Sequence, residues 1–169
     1  NNLRYLNKLL SSKITFGYSV CNMRYHEGIL NIKKNLNKVG KINYINCEFA
    51  FDLFQQRKNI SLSNDYLFRK NDGGGLIMDI YHEFDYLTWL FGQIKKISIL
   101  DKHKNNLKIP YIYDKVKLKL YLNNKTIIFL NLDYISSVKT RRIEVNGKNG
   151  SLIWNSYFKT SEIINVKFL

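Results

Sequence analysis

Apolar positions along the 169-residue chain follow two periods in succession. Leu3, Leu6, Leu9 and Leu10 recur at helical spacing, which predicts a short amphipathic helix over Asn2 to Ser11. Ile14 to Arg24 reads as a strand with Gly17 inside it. A second helix is expected from about His26 to Lys38, with Ile29, Ile32 and Leu36 on one face and Gly40 past its end. Ile42, Tyr44, Cys47, Phe49 and Phe51 mark a long strand whose alternation slips near Ile45. Asp52 to Asp72 is polar and irregular, broken by Tyr66 and Phe68. The longest helical signal runs from Gly74 to Phe91 and stops at Gly92.

Beyond Gly92 the period falls to two. Ile97 and Ile99 lie in one strand, and Val116, Leu118, Leu120 and Leu122 alternate with lysines and tyrosine in another. Asn123-Asn124 is a hairpin turn, with Thr126 to Ile135 as the returning strand. Arg141 to Val145 and Ser151 to Trp154 form a last hairpin around residues 146–150. Strand–helix–strand–helix followed by an antiparallel meander predicts an α+β domain, a mostly antiparallel open sheet with helices packed on one face.

Composition supports a folded domain: 45% hydrophobic residues, 24% charged and 14% aromatic exclude a disordered chain. No apolar run approaches a membrane span, and Asn1 to Leu10 lacks a signal-peptide pattern. The opening Asn1 suggests a piece of a longer chain. Cys21 and Cys47 have no metal spacing and read as small buried residues in a reducing, cytoplasmic setting. The net charge of +14 invites a nucleic-acid reading. Its lysines are scattered singly, however, and only Arg141 and Arg142 are adjacent arginines, so a nucleic-acid partner is not expected. An anionic substrate would be attracted by the same field.

One segment concentrates chemistry. Gly73-Gly74-Gly75 leads into Leu76-Ile77-Met78-Asp79-Ile80-Tyr81-His82-Glu83-Phe84-Asp85. On a continuous helix Leu76, Ile80, Phe84, Leu87 and Phe91 share one face, and Asp79, His82, Glu83 and Asp85 fall on the other. A histidine among carboxylates suits general acid/base work. The glycines let a ligand approach the backbone. The plainer alternative is a solvated charged stripe after an ordinary loop. A metal site is not expected, since no second histidine stands nearby; His103 sits among lysines in a loop and His26 begins a helix, both as surface residues.

Gly73 to Gly92 resembles the signature helix of the Gfo/Idh/MocA oxidoreductases: a glycine run, a hydrophobic stretch, Asp, His, a second Asp, then Leu-x-x-Leu-Phe-Gly wording. Gly17-Tyr18 with Met23-Arg24-Tyr25-His26, Val39-Gly40-Lys41-Ile42, and Arg142 to Leu152 resemble further stretches of that family in the right order. The resemblance spans about Ile14 to Trp154. It implies the family's C-terminal fold, which is dihydrodipicolinate-reductase-like. It makes His82 the acid/base and Asp79 its catalytic neighbour, with Arg24, Tyr25, Glu83 and Asp85 around a sugar or nucleotide-sugar substrate. Gly74 and Gly75 would face NAD or NADP.

Two departures stand out. Asp79 and His82 are three apart where most members have four, as in a subgroup with Asp-x-x-His-Glu, and Glu27 stands where Pro is frequent. No Gly-x-Gly-x-x-Gly unit and no Lys-Pro occur; the one proline is Pro110. The resemblance therefore implies that residues 1–15 are the residual end of a missing N-terminal Rossmann domain, and that 16–169 form a substrate-binding and oligomerisation domain. Alone, the chain is not expected to bind NAD(P) tightly or to turn over. Pairing of copies through the sheet is implied, with no membrane partner. The alternatives are a truncated, non-catalytic binding module and a basic nucleic-acid-binding domain.

Overall fold

The computed structural model describes residues 2–12, 18–58, 65–104 and 113–157. Five α-helices and six strands are assigned among them: α1 (Asn2–Ser12), α2 (Glu27–Asn35), β1 (Ile42–Asp52), α3 (Leu53–Gln56), α4 (Leu76–Asp79), α5 (Tyr81–Phe91), β2 (Ile94–His103), β3 (Lys115–Leu122), β4 (Ile127–Asp133), β5 (Ile135–Gly147) and β6 (Gly150–Asn155). The strands form one sheet in the order β2-β3-β4-β1-β5-β6. Every pairing is antiparallel except β1 with β4. The architecture is the expected α+β one.

Period-two alternation builds this sheet and chooses its faces. On β3, Val116, Leu118, Leu120 and Leu122 are buried while Lys117 is exposed. Register places Ile128, Leu130 and Leu132 of β4 beside them, followed by Ile45 and Cys47 of β1 and Ile143 and Val145 of β5. Helices supply the other half of the core through Ile29 and Ile32 of α2 and through Phe84, Leu87 and Phe91 of α5. The slip near Ile45 is a shift in the β1–β5 register between Ile42 and Tyr44. Helix α2 rides closely on the last strand: a Cβ on Gly28 would stand 1.9 Å from Trp154 Nε1, so only glycine fits.

Four expectations change. Tyr18 to Arg24 is not a strand: Arg24 N–H bonds to Cys21 O at 3.0 Å and His26 N–H to Met23 O at 3.1 Å, closing a 3₁₀ turn over Asn22–Tyr25. With its backbone bonds satisfied locally, this stretch joins no sheet. Ile14 to Gly17 lies outside the described residues. Helix α1 forms where expected, but Leu6, Leu9 and Leu10 are exposed. His103 is no loop residue; it ends β2 and sets Nδ1 2.9 Å from Asp114 Oδ1, a buried carboxylate.

The change with most consequence is in the signature segment, which breaks into α4 and α5 at Ile80 (φ −99°, ψ 24°). Ile80 N–H still bonds back to Leu76 O, and Glu83 N–H starts the new turn on Ile80 O. A continuous helix would hold Asp79 and Glu83 on one face, one turn apart. The break sends them to different partners.

Candidate functional site

Asp79 closes α4 and is drawn inward, with a side chain 6% exposed. Arg57 Nη2 reaches its two oxygens at 3.0 and 2.8 Å, Tyr66 Oη donates at 2.6 Å, and Tyr134 Oη donates to Oδ2. Burial works against the ionised form of Asp79, but bonds from Tyr134, Tyr66 and Arg57 outweigh it and hold its pKa below the ordinary carboxylate value. The carboxylate thus ties α4 to the segment after α3, to the turn over Tyr66–Phe68 and to the β4–β5 corner.

A pH dependence follows. A depressed carboxylate contributes stability that is present above its unfolded pKa, about 3.9, and is lost as pH falls through the lower folded value. Asp79→Asn should cost about 1–3 kcal/mol at neutral pH. Urea titrations of both proteins should show that gap constant down to about pH 5 and closing below about pH 4; a gap independent of pH would contradict the ionic account.

Glu83, in the first turn of α5, has no exposed surface. Arg141 of β5 donates to its Oε1 and Tyr86 Oη to its Oε2, and the Cys47 thiol of β1 lies 3.8 Å from Oε2. Burial pushes Cys47 and Tyr86 well above their ordinary pKa values, so both are protonated donors and Cys47 is no nucleophile. Glu83 was expected at the substrate; burial instead makes it an internal counter-ion for Arg141.

His82 sits between this buried pair and solvent, its side chain 35% exposed. Its Nε2 is 3.2 Å from Glu83 Oε1 and its ring meets Phe49 edge-on, centroids 5.5 Å apart. The Arg141 guanidinium covers the same Phe49 ring at 4.7 Å. Beside α5, Arg24 binds Asp85 through Nε at 3.0 Å and Nη2 at 2.5 Å, a bidentate pair whose hydrogen bonds hold Asp85 below the ordinary carboxylate range. Trp89 backs this pair, with Lys33 Nζ 3.7 Å from its ring centroid. Tyr25 is 80% exposed and free to meet a ligand.

The glycine run divides by role. Gly75 holds φ +112° with no atom within 4 Å of where a Cβ would stand, so a ligand can approach it. Gly74 cannot be approached on that side, because a Cβ there would lie 2.3 Å from Tyr66 O. On that side it is a close-packing glycine.

The fold therefore brings His82 and Glu83 together, and separates Asp79 and the Arg24–Asp85 pair into their own networks. Sequence reading missed Arg57, Tyr134 and Arg141, which are remote in sequence from the carboxylates they hold and carry no local motif, and Tyr86, which lies one helical turn from Glu83 and reads as an ordinary core aromatic. No three His, Cys, Asp or Glu side chains converge as a metal site among the described residues. No helix there is long and apolar enough to cross a membrane.

A family model described as the oxidoreductase family, C-terminal alpha/beta domain, matches residues 33–166. Solved structures share the fold. An inositol dehydrogenase homolog from Azotobacter vinelandii, complexed with NAD+, superposes with TM-score 0.67 at 13% identity, covering 80% of this chain and 37% of its own. The WlbA dehydrogenase from Bordetella pertussis, in complex with NADH and UDP-GlcNAcA, gives 0.67 at 16%, covering 81% and 40%. A levoglucosan dehydrogenase complexed with NADH gives 0.66 at 17%, covering 80% and 38%. The chain thus spans less than half the length of these structures. No curated protein matches the sequence.

Proposed function

Because the chain belongs to the Gfo/Idh/MocA oxidoreductase family through its C-terminal α/β domain, we propose that it is the substrate side of a nicotinamide-dependent dehydrogenase acting on a sugar or nucleotide-sugar hydroxyl. Residues 16–169 form that substrate half, and residues 1–15 are the end of the dinucleotide-binding half. The observation that carries the reading is His82: a part-exposed imidazole, seated against a buried carboxylate and an aromatic edge.

In this reading His82 takes the hydroxyl proton as the carbon it belongs to is oxidised, and returns it in the reverse direction. NAD or NADP, when bound by the other half, supplies the hydride chemistry. Gly75 lets the ligand pass close to the backbone. Tyr25 contributes an exposed ring to the substrate wall, and the Arg24–Asp85 pair holds the 3₁₀ turn bearing it against α5. Asp79 acts by fixing the geometry of the α4–α5 break, since its oxygens already have protein donors. The +14 charge draws an anionic nucleotide-sugar towards the site. The sheet face away from the helices is left for pairing with a second copy.

Joining the chain to a family dinucleotide-binding domain, and supplying NAD+ or NADP+ with a panel of sugars and nucleotide sugars, tests this. Substrate-dependent formation of reduced nicotinamide is expected, with none from the chain alone. Silence across the panel in a folded fusion would sink the reading.

A further inference from the structure

Glu83 occupies a position where an apolar side chain would pack without the cost of burying a charge. Its carboxylate is nonetheless held from three elements: by Arg141 of β5, by Tyr86 within α5 and by Cys47 of β1. The oxygen that accepts from Arg141 is the one 3.2 Å from His82 Nε2. We propose that Glu83 is a positioning residue for His82, fixing the imidazole so that Nε2 carries the hydrogen and Nδ1 is left to receive the substrate's proton. This rests on the reading of His82 as the acid/base.

A neutral imidazole has one N–H and one lone pair, and the partner of one nitrogen decides the state of the other. An ionised carboxylate only accepts, and its negative charge 3.2 Å from Nε2 favours the hydrogen on that nitrogen. Arg141 supplies the counter-charge that lets Glu83 stand ionised away from water. Tyr86 and Cys47, both held protonated by burial, donate to the carboxylate rather than compete for the ring. Phe49, edge-on to the imidazole, adds a packing restraint on the ring.

The step balances without any proton on Glu83. With a nicotinamide held by the other half, a hydride carrying the electron pair of the broken C–H bond would leave the substrate carbon for it. The hydroxyl proton passes to Nδ1 of His82, and the C–O bond becomes C=O. The imidazolium so formed is stabilised by the carboxylate 3.2 Å from its other nitrogen. This is the logic of an orienting carboxylate behind a catalytic histidine, with an arginine holding the carboxylate in turn.

Nitrogen NMR of the labelled chain reads the ring directly. The wild-type protein should show His82 as the Nε2–H tautomer, and Glu83→Gln should erase that preference. In the fusion with a dinucleotide-binding domain, E83Q should lower kcat at least about tenfold with KM essentially unchanged. A merely structural residue would change the denaturation midpoint without this split. Should E83Q fail to fold, Glu83→Asp, which keeps the charge but withdraws it by one methylene, should weaken the Nε2–H preference in the same spectrum. An unchanged tautomer in the folded variant overturns the proposal, whatever happens to kcat. Full turnover by His82→Ala would overturn the acid/base reading instead, and the tautomer measurement distinguishes the two failures.

Discussion

Replacing Arg141 with methionine should cost about 3–5 kcal/mol of stability, enough to unfold a marginal domain at modest temperature. The guanidinium is 15% exposed and its partner Glu83 is fully buried. Removing it leaves a carboxylate with no counter-charge and no water, the arrangement that makes breaking a buried pair so much worse than never having one. Arg141 also covers the face of Phe49 at 4.7 Å, so its packing is lost together with its charge. Its sequence neighbour provides the control. Arg142 pairs with Glu144 at 2.9 Å at the surface, with side chains 37% and 22% exposed. Arg142→Met should therefore shift stability by less than about 1 kcal/mol. Urea denaturation of the two variants measures both. Equal losses would contradict the assignment of the buried ion pair, and the double variant Arg141→Met with Glu83→Leu should recover much of the loss.

The second large effect is on turnover. His82→Ala, in the chain joined to a dinucleotide-binding domain, should lower kcat by about 10²–10⁴-fold, the usual contribution of a positioned acid/base. Stability should change little, because the ring is 35% exposed and its main packing contact is the edge of Phe49. The pair of measurements separates chemistry from folding. A fall in kcat with an unchanged denaturation midpoint fits the acid/base role. Unchanged kcat in a folded variant would remove His82 from the reaction.

Much of this was legible in local pattern. Alternation on β3 announced both a strand and its buried face, since Val116, Leu118, Leu120 and Leu122 can share one side only if the lysines between them share the other. The stop signals at Gly40 and Gly92 also hold, for both take positive φ where a helical segment ends. The expectation that failed most clearly, a strand through Tyr18 to Arg24, failed because apolar content was read without knowing whether a neighbouring strand existed. A strand needs a partner for its backbone groups, whereas a 3₁₀ turn closes its bonds on itself.

The signature segment shows the limit more sharply. Its sequence establishes a helix-forming run with four ionisable groups, and a wheel drawn on it places Asp79 beside Glu83. Only the folded chain decides that the run breaks at Ile80 and that each carboxylate meets its own arginine, Arg57 for Asp79, Arg141 for Glu83 and Arg24 for Asp85. Those arginines lie 22, 58 and 61 residues away in sequence. Periodicity is a property of neighbours along the chain, so it specifies elements and the faces they bury. The state of a charged group depends on what stands within a few ångströms of it in space, and burial strengthens that dependence by removing the water that would otherwise screen it. The sequence by itself determined most of the elements, the α+β class and the segment in which the ionisable groups cluster. The tertiary structure alone decided which of its acids are anchors, which is the counter-ion beside His82, and that the histidine is left facing solvent.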